Sequence, residues 1–205
     1  MIDERLGRLR ALMEERGLAA YYIPTDDYHL SEYVCEHFRA RAYMTGFTGS
    51  AGTLVVTPEE ARLWVDSRYF LQSEFQTAGS SVKIMKIGEE GVPDIPQYLA
   101  DALPENAALG FDGRTLGAQR ALKTGRMLAA KHVELVPELD LVGEIWADRP
   151  ALPKGRVWVL GEEYAGKSAA EKLADVRRVM EEKDVDAHVL TSLDDQLRIF
   201  EQDPS

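Results

Sequence analysis

Ile2, Leu6, Leu9 and Met13 fall at i, i+4, i+7 and i+11, with Arg and Glu filling the positions between them. That spacing predicts an amphipathic helix over residues 2–16, and Gly17 supplies its stop. The short apolar run over residues 19–23, closed by Pro24, predicts a buried strand. Residues 25–42 are polar and aromatic without a period and read as a loop with at most one helical turn. Residues 53–57 and 62–66 read as two strands split by a turn at Pro58, Glu59 and Glu60, and Val82, Ile84 and Ile87 suggest another. Ile95, Tyr98, Leu99, Ala102 and Leu103 trace one helical face, and residues 108–111 a strand. Residues 117–130 form a predicted helix with Ala118, Ala121, Leu122, Gly125 and Ala129 on its apolar side. A last strand over 133–136 leads into a helical turn through Trp146. Strands alternating with helices predict an α/β layer fold.

Residues 148–156 hold two prolines and no apolar period, which marks a domain boundary. Beyond it the chain repeats itself. A shift of 167 residues lays Glu171 on Glu4, Leu173 on Leu6, Arg177 on Arg10, Met180 on Met13, Glu181 and Glu182 on Glu14 and Glu15, Ala187 on Ala20, and Asp194 on Asp27. The pairs Leu9/Val176, Leu18/Val185 and Ile23/Leu190 keep the same register. Two amphipathic helices followed by strands would look alike in any case, but a helix-to-strand junction that stays in step without a gap favours duplication. The second copy is then expected to hold a strand at 157–160, a helix at 168–183 and a strand at 188–191. With 35 residues from Glu171 onward, it reads as truncated.

The formal net charge of the 205-residue chain is −11. An acidic surface argues against nucleic acid or an anionic membrane as partner. No apolar run reaches the length of a membrane span, and the charged start does not read as a signal peptide. A single cysteine, Cys35, offers no intrachain disulfide. The expectation is a cytoplasmic protein.

Candidate chemistry is sparse. Gly161, Gly166, Lys167 and Ser168 satisfy the G-x-x-x-x-G-K-S spacing of a phosphate-binding loop. Glu162 and Glu163 would put two negative charges into that cradle, and Ser168 with Glu171 already makes a helix capping box, so the nucleotide reading is set aside. Gly46, Gly49 and Gly52 recur every third residue; a close-packed turn feeding a strand is favoured over a ligand cradle. The adjacent pair Asp26 and Asp27 reads as a turn or cap ahead of a cation site. His29, His37, His132 and His188 show no metal-ligand spacing, and Cys35 has no evident activator.

The run from Asp27 to Gln76 resembles the N-terminal domain of creatinase/prolidase-type enzymes, in particular the three-domain cytosolic Xaa-Pro aminopeptidases (aminopeptidase P). Ser31–Tyr33, Arg39–Thr57 and Leu63–Gln72 carry the resemblance. Ala40-Arg41-Ala42 stands where a family member reads Arg-Arg-Ala. Trp64-Val65-Asp66-Ser67-Arg68-Tyr69-Phe70 stands for Trp-Thr-Asp-Gly-Arg-Tyr-Phe. The likeness runs on through Ile145–Pro150 into the second copy. It implies a mixed β-sheet flanked by helices, ribonuclease-H-like, over residues 1–148, a linker at 149–156, and the truncated beginning of a second, homologous domain at 157–205. It also implies that catalysis belongs to a third domain, whose two metal ions, usually manganese, are held by Asp, His and Glu. That domain releases the residue preceding proline.

After Asp195 the chain departs from the family pattern, so no catalytic residue, metal ligand or cofactor is carried over to it. Arg41 and Tyr69 are the candidates for the substrate cleft of a complete enzyme. Gly46, Gly49, Gly52, Asp66 and Arg68 are expected to hold structure. The implied partners are the chain's own missing catalytic domain and a second copy in a homodimer. The alternative is a stand-alone binding or dimerisation module of the same fold.

Overall fold

The computed structural model describes residues 1–156 and 160–200. Its elements run α1 (Ile2–Glu15), β1 (Ala20–Ile23), α2 (Ala40–Thr45), β2 (Thr53–Val56), β3 (Ala61–Val65), α3 (Phe70–Gln76), β4 (Val82–Lys86), α4 (Ile95–Ala102), β5 (Ala108–Phe111), α5 (Ala118–Leu128), β6 (Glu134–Val136) and α6 (Leu141–Ile145). After these come α7 (Glu162–Ala165), α8 (Ala169–Glu182) and α9 (Leu193–Phe200). The chain divides into two compact units, Met1–Leu152 and Pro153–Ser205.

In the first unit six strands form one mixed sheet in the order β4-β3-β2-β1-β5-β6. β2 runs antiparallel to both of its neighbours, and the remaining pairings are parallel. β1 lies inside the sheet, which is why it reads as a continuous apolar run. Its Tyr21 and Ile23 enter one core with Leu6, Leu9, Met13, Leu141 and Ile145, while Ala20 and Tyr22 enter the other with Trp64, Leu99 and Leu128. Chain direction explains the helix placement. β3–α3–β4 steps outward one way and β5–α5–β6 the other, so right-handed crossovers put α3 and α5 on opposite faces. Phe70 accordingly packs on the first core and Leu128 belongs to the second.

α1 buries the predicted stripe, Leu6, Leu9 and Met13. It ends in a Schellman cap: Leu18 N–H donates to Met13 O at 2.8 Å and Gly17 N–H to Glu14 O at 3.1 Å, with Gly17 at φ +66°. The same cap recurs 167 residues on. Val185 N–H donates to Met180 O at 3.0 Å and Asp184 N–H to Glu181 O at 3.1 Å, with Asp184 at φ +52°. The duplication therefore extends to backbone conformation.

Several expectations change. α5 sits about one residue's rotation from its predicted face: Thr124 and Leu128 are buried, Ala118 and Ala129 are exposed, and Leu122 is 59% exposed. Thr124 reaches inward because its hydroxyl donates to Arg120 O, a partner that hydropathy does not count. Four helices went unread: α2, α7 and α9, and α3, whose Leu71 and Phe75 face solvent and blur the pattern. In the second unit the expected strand at 188–191 is irregular backbone running into α9. A strand needs a neighbour for its N–H and C=O groups, and the described residues of that unit contain none. The strand expected at 157–160 falls on residues 157–159, outside the described residues. The apolar stripe of α8 is present, but no described residue of this unit is buried.

Candidate binding surface at the strand ends

The loops that follow β1 and β3 emerge at the carboxyl ends of parallel strands. Because β2 is antiparallel, the loop leading into it opens on the same edge. That edge is where open α/β sheets place ligand sites. The glycine segment, Arg41, Tyr69, Asp66 and Arg68 all meet there.

Arg41 projects from α2 and is buried. Its Nε donates to Thr25 Oγ1 at 2.8 Å, Nη1 to Phe47 O and Nη2 to Gly49 O, and its guanidinium lies 4.6 Å from the Phe47 ring centroid. Burial, reinforced by the nearby Arg39, pulls its pKa down to about 10. Arg41 thus ties the glycine loop to α2 from within. Gly46 caps α2 at φ +71°. A Cβ at Gly49 would lie 2.2 Å from Phe47 Cζ and 2.8 Å from Tyr69 Cδ1, and one at Gly52 would lie 3.2 Å from Trp64 O. One glycine serves conformation and two serve close approach.

Asp66 directly follows β3 and accepts the Arg68 N–H (3.1 Å), Nε (2.9 Å) and Nη2 (2.8 Å), closing the turn into α3. The side-chain bonds from Arg68 lead in holding the Asp66 carboxyl below its ordinary range. Tyr69 packs edge-on against Phe47, and its hydroxyl lies 2.7 Å from Ser50 Oγ. That bond to Ser50 is the main cause lowering its pKa. Thr48 N–H donates to Gln76 Oε1 at 2.9 Å, stitching the loop to α3. Sequence reasoning missed Thr25 and Gln76, which lie outside the three motif segments and are identified only by what they touch. A cavity of about 150 Å³ opens between this loop and residues 32–42.

Asp26 pairs with Arg120 at 2.8 Å, and Asp27 accepts the His29 and Ser31 N–H groups as a turn. Among the described residues no three His, Cys, Asp or Glu side chains converge on a possible metal position. The phosphate-loop spacing is dismantled by structure. Gly166 caps α7 at φ +78°, Lys167 pairs with Asp175, and Ser168 and Glu171 form the capping box of α8. What gathers at the strand ends is a set of N–H donors, hydroxyls and aromatic rings that bond and pack largely on one another.

The sequence pattern of the creatinase/prolidase N-terminal domain matches residues 5–142, and a second pattern of the same description matches residues 148–197. The chain is 40% identical over 200 residues to aminopeptidase P2 of Arabidopsis thaliana, covering 95% of this chain and 28% of the relative. It is 38% identical to the Xaa-Pro aminopeptidase ApepP of Drosophila melanogaster, covering 93% and 32%. The crystal structure of X-prolyl aminopeptidase from Caenorhabditis elegans, described as a cytosolic enzyme with a di-nuclear active site, superimposes with a TM-score of 0.87 at 33% identity. That match covers 97% of this chain and 34% of the worm enzyme. The chain therefore spans about a third or less of the length of these relatives. Among the described residues no helix is long and apolar enough to cross a membrane.

Proposed function

Because the chain belongs to the creatinase/prolidase N-terminal domain family, we propose that it is the non-catalytic N-terminal region of an Xaa-Pro aminopeptidase. In the complete enzyme a metal-dependent domain, loaded with two manganese ions, releases the residue preceding proline. Residues 1–148 form the first domain, 149–156 the linker and 157–205 the start of a second, homologous domain. The region supplies wall to the substrate cleft, with Arg41 and Tyr69 on that side, and takes part in a cytoplasmic homodimer. The observation that carries the reading is the match to the worm enzyme along 97% of this chain.

Metal catalysis needs a ligand shell that fixes geometry and leaves a position open, and the motifs matched here carry none. The purified 205-residue chain, given manganese and an Xaa-Pro-Pro tripeptide, is expected to release no free N-terminal residue and to take up no stoichiometric metal. Proline-dependent release with bound manganese would overturn the proposal. Light scattering after size exclusion tests the homodimer, and a monomer at every concentration would remove it.

A further inference from the structure

Among the described residues Arg41 is a buried cation without a counter-ion. It is 2% exposed, and its three hydrogen-bond partners, the Thr25 hydroxyl and the Phe47 and Gly49 carbonyls, are all uncharged. Neutral acceptors offset the desolvation of a guanidinium only in part, and a guanidinium has more N–H donors than these partners consume. Burial and the neighbouring positive charge of Arg39 both disfavour its charged form.

The cavity of about 150 Å³ lies directly against it. A second guanidinium-bearing residue, Arg39, lines the same space, as do Thr48, whose hydroxyl is held by Gln72 and Gln76, and Ser50, whose hydroxyl bonds to Tyr69. The carboxylate on that lining, Glu32, is exposed to solvent, and Arg39 pairs with Glu36 through a bond that is itself solvent-exposed. Two guanidinium-bearing residues thus line one small space, and among the described residues the buried one makes no ion pair.

We propose that this cavity binds a carboxylate group, held between Arg41 and Arg39 with Ser50 on the adjoining wall. Planar guanidinium forks match a carboxylate's two oxygens. The volume lies below that of pockets for drug-sized ligands, which begin at roughly 300 Å³, and suits a group about the size of one amino-acid residue. The carboxylate belongs either to a free or chain-terminal amino-acid unit or to an Asp or Glu side chain of a docking polypeptide. The proposal concerns the 205-residue chain itself, so its failure would leave the peptidase reading untouched.

Titration of the isotope-labelled chain, followed by amide and arginine Nε resonances, tests it. N-acetylglycine represents the terminal carboxylate and N-acetylglutamic acid α-amide the side-chain one, with N-acetylglycinamide as the uncharged control. At least one carboxylate is expected to shift Gly49, Ser50 and Arg41 Nε saturably while the control does not, and the tighter of the two identifies the source. Arg39→Gln, which removes an exposed side chain and spares the buried one, should weaken that binding about tenfold. Equal shifts from the uncharged control, unchanged affinity in Arg39→Gln, tighter binding of inorganic phosphate, or no saturable shift would each overturn it.

Discussion

Side chains that look alike in the sequence carry unequal weight at the residue scale. Arg41 and Arg68 both belong to the shared motif, yet Arg41 is buried and bonds across the loop, whereas the Arg68 side chain is 66% exposed and bonds to Asp66. Arg41→Ala strands the Phe47 and Gly49 carbonyls and should cost about 3 kcal/mol in urea unfolding. Arg68→Ala should lower stability far less, because exposed pairs are screened by water. Asp66→Ala, which also removes the acceptor of the Arg68 N–H, should cost about 1 kcal/mol. Glycines divide in the same way. Gly49→Ala drives a Cβ into Phe47 and Tyr69 and should cost roughly 1–3 kcal/mol. Gly7→Ala meets nothing within 4 Å on α1 and should stabilise by about 0.5–1 kcal/mol. If both glycine variants moved the urea midpoint in the same direction, the packing account of Gly49 would be wrong.

At the element scale, the two copies of the helix-to-strand unit share a cap but not a residue at its left-handed position. Gly17 adopts φ +66° without a Cβ penalty, whereas Asp184 holds φ +52° against one. Gly17→Ala should therefore destabilise the first unit by about 1 kcal/mol, and Asp184→Gly should raise the helicity of α8. Chemical shifts of residues 180–185 would report the second effect directly. Ser168→Ala removes the acceptor for the Glu171 N–H and should fray the first turn of α8, at about 1 kcal/mol of local helix stability. Faster amide exchange at Glu171 and Lys172 is the expected signature.

For the whole molecule, stability should fall at both ends of the pH scale. The carboxyl of Glu60 is held down at about 2 by Arg62 and Lys83. That of Asp140 is lowered because bonds from Arg149 and the Gly143 N–H outweigh the opposing, larger single effect of burial. Both folded values lie below those of an unfolded chain, so their contribution is present above about pH 4 and is lost as pH falls through the folded values. Tyr21 and Tyr22 behave oppositely, since burial raises both. Their contribution is complete below about pH 10 and is lost above it, where the unfolded chain ionises first. Tyr21→Phe should flatten that alkaline limb in thermal unfolding against pH. The two units should also differ in resistance. The first holds two apolar cores, while no described residue of the second is buried. Trypsin should cut first after the exposed Lys154 or Arg156 and leave a protected fragment of the first unit. Equal survival of both units would contradict this.

The pattern of apolar residues determined α1 and the strands β1 to β6 to within a residue or two, and the polar pair Ser168 and Glu171 determined the capping box, because each rests on contacts local in the chain or on a face that alternates visibly. The resemblance in residues 27–76 was legible for the same reason, since each of its three motif segments is contiguous in the chain. Which face α5 buries was decided by tertiary structure, through Thr124 turning inward with its hydroxyl satisfied. Tertiary structure also decided that residues 188–191 form no strand, because pairing depends on a neighbour that periodicity does not encode. The setting of Arg41 was decided there too. Phe47 and Gly49 lie in the loop before β2 and Thr25 in the loop after β1, and only the sheet, with β2 reversed between β1 and β3, brings the two loops to one edge around the buried Arg41.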